Sequence, residues 1–154
     1  MSISWYVLHS KPNKEQFLAS QLQHRDIETF YPRLHVEPVN PRSRKVRPFF
    51  PGYLFVHVDL DQTSLSSLAW VPGAHRLVSF DDEPATVPDD VIAMIRKNVD
   101  RLNQDPKKFQ HDYQHGDPVT IEDGPFKGYN AIFDSSLDGT GRVRVLIQLL
   151  HGEH

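Results

Sequence analysis

The stretch Tyr53-Leu54-Phe55-Val56-His57-Val58 constrains this chain more than any other. Its aromatic and β-branched residues read as a strand. Alternation sends Tyr53, Phe55 and His57 to one face and Leu54, Val56 and Val58 to the other. Both faces carry apolar side chains. Such a strand is either covered on both sides or keeps one face for a partner. The rest of the chain must therefore supply cover for at least one face.

A second strand is expected from Ile3 to His9, with Trp5, Val7 and His9 on one side and Tyr6 and Leu8 on the other. Lys11-Pro12-Asn13 breaks it. From Lys14 to Gln23, Phe17, Leu18 and Leu22 fall on one side of a helix. Ile27 to Val36 is strand-like but interrupted by Pro32. Pro38 and Pro41 then make residues 37 to 48 a protruding loop or ragged hairpin. Ser64 to Trp70 suits a short helix, stopped by Pro72-Gly73. Leu77 to Phe80 suits a short strand, and Asp81-Asp82-Glu83-Pro84 a turn. Pro88-Asp89-Asp90 opens a helix, with proline and acids in its first turn, that carries Val91, Ile92, Ile95, Val99 and Leu102. This order predicts an α+β fold, a helix-backed antiparallel sheet over residues 1–102. Residues 103–115 are polar and read as a linker. From Gly116 the pattern becomes strand and turn, at Val119–Glu122, Tyr129–Phe133 and Arg142–Leu150, as in a small β-barrel.

Several function classes find no support. No apolar run approaches the roughly 20 residues a membrane helix needs, and the N-terminus lacks a basic start and an apolar signal core. There is no cysteine, hence no disulfide or thiolate site. His111 and His115 are four apart but lie in the polar linker, and His151 and His154 are in the chain's last residues, so no metal or other cofactor is expected. Phosphate-loop, dinucleotide and nucleophile-elbow motifs are missing. Asp81, Asp82 and Glu83 sit consecutively in a turn, which does not aim a carboxylate pair across a substrate. Nothing argues for an enzyme.

The net charge of −3 hides a pattern, because residues 1–102 are neutral and residues 103–154 carry the excess. Arg42, Arg44, Lys45 and Arg47 place four positive charges in six residues, either a solvated loop tip or a contact for a polyanion. A second group, His9, Lys11, Lys14, Gln21, His24 and Arg25, gathers where the first strand passes into the first helix. It reads as ordinary helix solvation or as phosphate and base contacts on nucleic acid. The apolar face of Trp5, Val7, His9, Tyr53 and Phe55 is either core or a protein-docking patch.

Gly116-Asp117-x-Val119 followed by Gly124-Pro125-Phe126-Lys127-Gly128 resembles a KOW motif. Trp5-Tyr6-Val7, Phe50-Pro51-Gly52-Tyr53-Leu54-Phe55-Val56 and Val71-Pro72-Gly73 resemble the hallmarks of the NusG N-terminal (NGN) domain. Their order matches the NusG family of transcription elongation factors, including its specialised RfaH-like members, over essentially the whole chain. The resemblance implies an NGN domain at 1–102, a linker at 103–115 and a KOW-type domain at 116–154. About five strands are usual for such a barrel and three are counted here, so the barrel is expected to be incomplete.

What the resemblance implies about function is a non-enzymatic elongation or antitermination factor that closes RNA polymerase and suppresses pausing, in the bacterial cytoplasm and at the nucleoid. Val7, His9, Tyr53, Phe55, Phe80 and Ile95 would bind the β′ clamp helices, with His9 a departure from the usual aromatic or apolar residue. Ser64-Leu65-Ser66 is a loose match to the contact with the β gate loop. Lys11, Lys14, His24 and Arg25, with the loop of Arg42, Arg44, Lys45 and Arg47, would meet non-template or upstream DNA. The KOW half would recruit a small-subunit ribosomal protein or Rho. KOW barrels also occur in RNA-binding ribosomal proteins, which lack an NGN half. In the segment Arg142 to Leu150, Val143, Val145, Ile147 and Leu149 fit a strand, while Val143, Leu146, Ile147 and Leu150 fit a helix. Its β-branched start and the KOW context favour the strand. The RfaH resemblance implies the other form, a helix lying on Val7, Tyr53 and Phe55.

Overall fold

A computed structural model describes residues 3–35, 46–104, 128–134 and 136–152. The chain divides into two compact units, Met1–Tyr31 with Gly52–Asp89, and Pro32–Pro51 with Asp90–His154.

The first unit is built on strand β1 (Ser4–Ser10), which lies at the centre of an antiparallel sheet. Strand β5 (Tyr53–Val58) pairs along one edge of β1 in the register Trp5↔His57, Val7↔Phe55 and His9↔Tyr53. Strand β2 (Glu28–Phe30) adds outside β5. The other edge of β1 is shared. Strand β6 (Ala74–Leu77) takes Leu8 to Ser10, and β9 (Thr86–Val87) takes Trp5 and Tyr6. Between them Val78 N–H donates to Val7 O at 2.8 Å, so β1 keeps its backbone paired through the change of partner.

Helix α1 (Glu15–His24) and the short α2 (Leu65–Ala69) cover one side of this sheet. Leu18, Ala19 and Leu22 of α1 and Leu68 of α2 pack with Tyr6, Leu8, Leu54, Val56 and Val58. Phe17 departs from expectation. It stands about 100° around the helix from Leu18 and remains 45% exposed, while Leu18 and Leu22 are fully buried. Helix α1 ends in a Schellman arrangement: Asp26 takes a φ of 59°, its N–H donates to Gln23 O, and Ile27 N–H donates to Leu22 O. The expected strand Leu77–Phe80 is instead the end of β6 and the start of a ribbon, β7 (Ser79–Phe80) with β8 (Glu83–Pro84). Asp81 and Asp82 both have positive φ, 52° and 64°, as a tight hairpin turn of this length requires.

The second unit contains the hairpin of β3 (Arg33–His35) and β4 (Val46–Pro48), and the long helix α3 (Asp89–Gln104). Pro32 separates β2 from β3, as its missing N–H predicts. Of the basic loop only Arg47 is described, exposed on β4; Arg42, Arg44 and Lys45 lie outside the described residues. Helix α3 buries Val91, Ile92, Ile95, Val99 and Leu102, the five apolar positions read from its sequence. It runs on through Asn103, whose side chain accepts from His35 N–H at 2.8 Å and donates to Arg33 O at 2.9 Å, closing the end of β3.

The C-terminal segment departs from the favoured strand reading and, over Arg142–Leu150, takes the helical form that its pattern and the RfaH resemblance also allowed. Tyr129–Phe133, expected as strand, is a 3-10 helix, and Arg142–Leu150 falls within helix α4 (Gly139–Leu150). The expected strand Val119–Glu122 lies outside the described residues, as do Gly116, Asp117, Gly124, Pro125 and Phe126 of the KOW-like motif. Gly128, the motif's last glycine, has a φ of 89° and starts the 3-10 helix. The helix wins for a local and a tertiary reason. Asp138 caps it by accepting from Gly141 N–H at 2.7 Å. Arg142 is buried beneath it, donating from Nε to Phe49 O at 2.9 Å and from Nη1 to Leu137 O at 3.1 Å, with its guanidinium 4.3 Å from the Phe49 ring centre. A strand would lose this arrangement. Gly139 passes so close to Pro51 that an added Cβ would stand 2.5 Å from the ring. Phe49 also packs on Phe50 edge-on and on Phe133 at 5.4 Å.

Candidate functional site

The sheet of the first unit has two apolar faces, and α1 and α2 account for one. On the other, the register of β1 and β5 creates three cross-strand pairs: Trp5 with His57, Val7 with Phe55, and His9 with Tyr53. Trp5 and His57 stack at 4.5 Å and 9°, and His9 and Tyr53 at 4.7 Å and 13°. Phe30 of β2 extends the row by stacking on Phe55 at 5.7 Å. Glu28 Oε1 accepts from His57 Nδ1 at 2.7 Å, fixing the outer end of the Trp5–His57 stack. Val7 and Phe55 have no exposed surface, whereas His9 and Tyr53 are half-buried.

His9 borders His75, 5.1 Å between ring centres. Its pKa lies below the ordinary histidine value, because burial disfavours the charged ring and the fields of His75 and Arg76 add to the effect. His9 is therefore an uncharged aromatic partner for Tyr53 near neutral pH, and belongs to this face rather than to a basic arc. The turn before Tyr53 is held by its backbone: Gly52, at a φ of 86°, donates to Glu15 Oε2 at 2.9 Å and accepts from Ser10 N–H at 2.8 Å.

Of the expected docking residues, Val7, His9, Tyr53 and Phe55 thus stand together on two paired strands. Phe80 is on the β7–β8 ribbon of the same unit, and Ile95 is buried on α3 in the other unit. The alternation that found Val7 and Phe55 also reaches Trp5 and His57. Phe30 and Glu28 needed the β2–β5 pairing, which no local pattern reveals. The basic group divides. Lys11, Lys14, His24 and Arg25 are exposed, but Arg25 Nη1 donates to Gln21 O and Oε1 at 3.0 and 2.9 Å, and Lys14 Nζ sits 5.6 Å above the Phe17 ring. Ser64 caps α2, its Oγ accepting from Ser67 N–H at 3.1 Å. Among the described residues no three metal-ligating side chains converge, and no helix is long and apolar enough to cross a membrane.

The family model for "Transcription termination factor nusG" matches residues 3–96, more than half of the chain. The chain belongs to the NusG family. NusG relatives include the transcription termination/antitermination protein of Thermus thermophilus, 26% identical, the match covering 99% of this chain and 93% of the relative. The Escherichia coli K12 protein of the same name is 24% identical over 94% of this chain and 86% of its own. A solved structure of NusG from Thermotoga maritima, in work on its domain interaction, superposes with a TM-score of 0.50 at 20% identity, covering 82% of this chain and 76% of that one. It shares the fold. The chain is a NusG-type transcription factor whose mixed fold contains the NusG N-terminal sheet.

Proposed function

We propose that this NusG-type factor docks on the β′ clamp helices of RNA polymerase through the face formed by Val7, His9, Tyr53 and Phe55, with Phe80 and Ile95 as further contacts. The observation that carries the reading is the set of three cross-strand pairs on the sheet face that α1 and α2 leave uncovered. The α1–α2 side holds a continuous cluster of its own, so the aromatic pairs of the other face are additional to it. Residues 1–102 act as the polymerase-binding half and 103–115 as a linker. Residues 116–154 act as a KOW-type half that meets a small-subunit ribosomal protein or Rho. Helix α4 is one of two conformations open to its segment, the other being strand, in the manner of RfaH-like specialised members.

Binding holds the polymerase closed and suppresses pausing; no bond is made or broken. Lys11, Lys14, His24 and Arg25, with Arg42, Arg44, Lys45 and Arg47, contact non-template or upstream DNA, and Ser64–Ser66 approach the β gate loop. The setting is the bacterial cytoplasm, at the nucleoid through polymerase. The test is retention of the whole chain on an isolated β′ clamp-helix fragment. Specific retention, lost when free fragment competes, is the expected result; no retention counts against the docking face.

A further inference from the structure

We propose that Trp70 is a stacking platform for an unpaired base of single-stranded nucleic acid, with Phe17, on the helix its loop is clamped to, as a second ring. This deepens the reading above and rests on its assignment of Lys11 and Lys14 to nucleic acid. Trp70 follows α2 and is 84% exposed, an unusual state for the largest side chain in a folded unit. The fold uses its backbone, whose N–H donates to Ser66 O at 3.1 Å, and the next residue, Val71, which is buried and secures the loop. The indole, at that exposure, contributes little to the core.

The loop holding Trp70 is clamped against the start of α1 within the first unit. Lys11 N–H donates to Gly73 O at 2.8 Å. Gly73, at a φ of 91°, lies so close to α1 that an added Cβ would stand 3.1 Å from Phe17 Cδ2. Trp70, Phe17, Lys11 and Lys14 are thus carried on two segments held in contact, and Phe17 is 45% exposed under the Lys14 ammonium. His75 and Arg76 follow, both exposed. Glu15, the acid of the first turn of α1, is turned inward onto Gly52 and adds no outward charge. Exposed rings and cations on adjoining segments suit bases stacked along a phosphate backbone. A protein partner would place its apolar centre away from lysines.

Intrinsic fluorescence reads this directly, because the chain has two tryptophans and Trp5 is buried. The whole chain is titrated at low salt with a short oligothymidylate and with the same oligonucleotide carrying abasic positions. Quenching by the first and weaker binding of the second are expected. Trp70→Leu, which keeps an apolar side chain but loses the ring, should bind roughly ten- to a hundredfold more weakly. Trp70→Phe should retain most of the affinity. Salt-dependent binding without quenching, unchanged in Trp70→Leu, overturns the stacking role and leaves the lysine contacts standing. Absence of binding by the unaltered chain overturns both. Loss of clamp-helix retention in Trp70→Leu with oligonucleotide binding intact assigns Trp70 to a protein contact and also overturns the proposal.

Discussion

Strand β5 and helix α4 have similar apolar alternation and reach different conformations. In β5, Leu54, Val56 and Val58 face a packed cluster, while Tyr53, Phe55 and His57 each meet a named partner on β1. A register slip by one residue would exchange both sets, so the strand is pinned from two sides. In α4, Val143, Val145, Ile147 and Leu149 would alternate equally well, yet the residue that decides is polar. Arg142 is buried against Phe49, 93 residues earlier in the chain. A pattern used on both faces specifies its own conformation. A pattern that fits two templates leaves the choice to a distant partner.

Breaking each region should expose this difference. Phe55→Ala empties a site with no exposed surface between Val7 and Phe30, and should cost about 3–5 kcal/mol of global stability, read as an early denaturant midpoint for the sheet. Arg142→Ala removes two hydrogen bonds from a charged group and its ring contact. About 2–3 kcal/mol should be lost, but locally: amide protection should fall across 139–150 and persist in β1 and β5. Uniform loss in both regions would refute the contrast.

Burial lowers the basicity of Arg142, and Asp138 partly offsets this, yet a guanidinium stays charged at any working pH. One pH-sensitive group of the sheet is His9. Its folded-state pKa is depressed, so as pH falls below about 6.5 the unfolded chain takes up the proton first. Its contribution to stability is complete above that pH and is lost as pH falls toward the folded-state value. The drop in melting temperature between about pH 7.5 and 5.5 should therefore be smaller in His9→Phe, which keeps a ring against Tyr53. An equal drop would place the sensitivity elsewhere.

Much of the sheet unit and of helix α3 was legible in sequence because their signals are local. The range of β5 matches its sequence reading, the burial of α3 follows its five apolar positions, and Pro32 splits two strands as its chemistry demands. The docking candidates Val7 and Phe55 come from the same alternation. What escaped the sequence depends on contacts between distant segments. His9 read from sequence both as a member of the apolar face and as part of the polar group before α1, and only its stacking on Tyr53 shows which of the two it serves. The β9 pairing to β1, two residues long, is too short to leave a pattern. For α4, neither propensity nor period signals the carbonyl of Phe49, and the glycines at 139 and 141 argue against a helix until the Asp138 cap and the close approach to Pro51 are seen.

Tyr53→Ala tests the central claim most directly. Tyr53 is half-buried, stacked on His9 and not fully enclosed, so its removal should perturb folding less than that of Phe55. Melting temperature and affinity for RNA polymerase are measured on the same preparation. The docking account predicts a near-native melting temperature with affinity reduced by about 2 kcal/mol, some thirtyfold. A folded Tyr53→Ala chain that binds polymerase as tightly as the unaltered protein would contradict it.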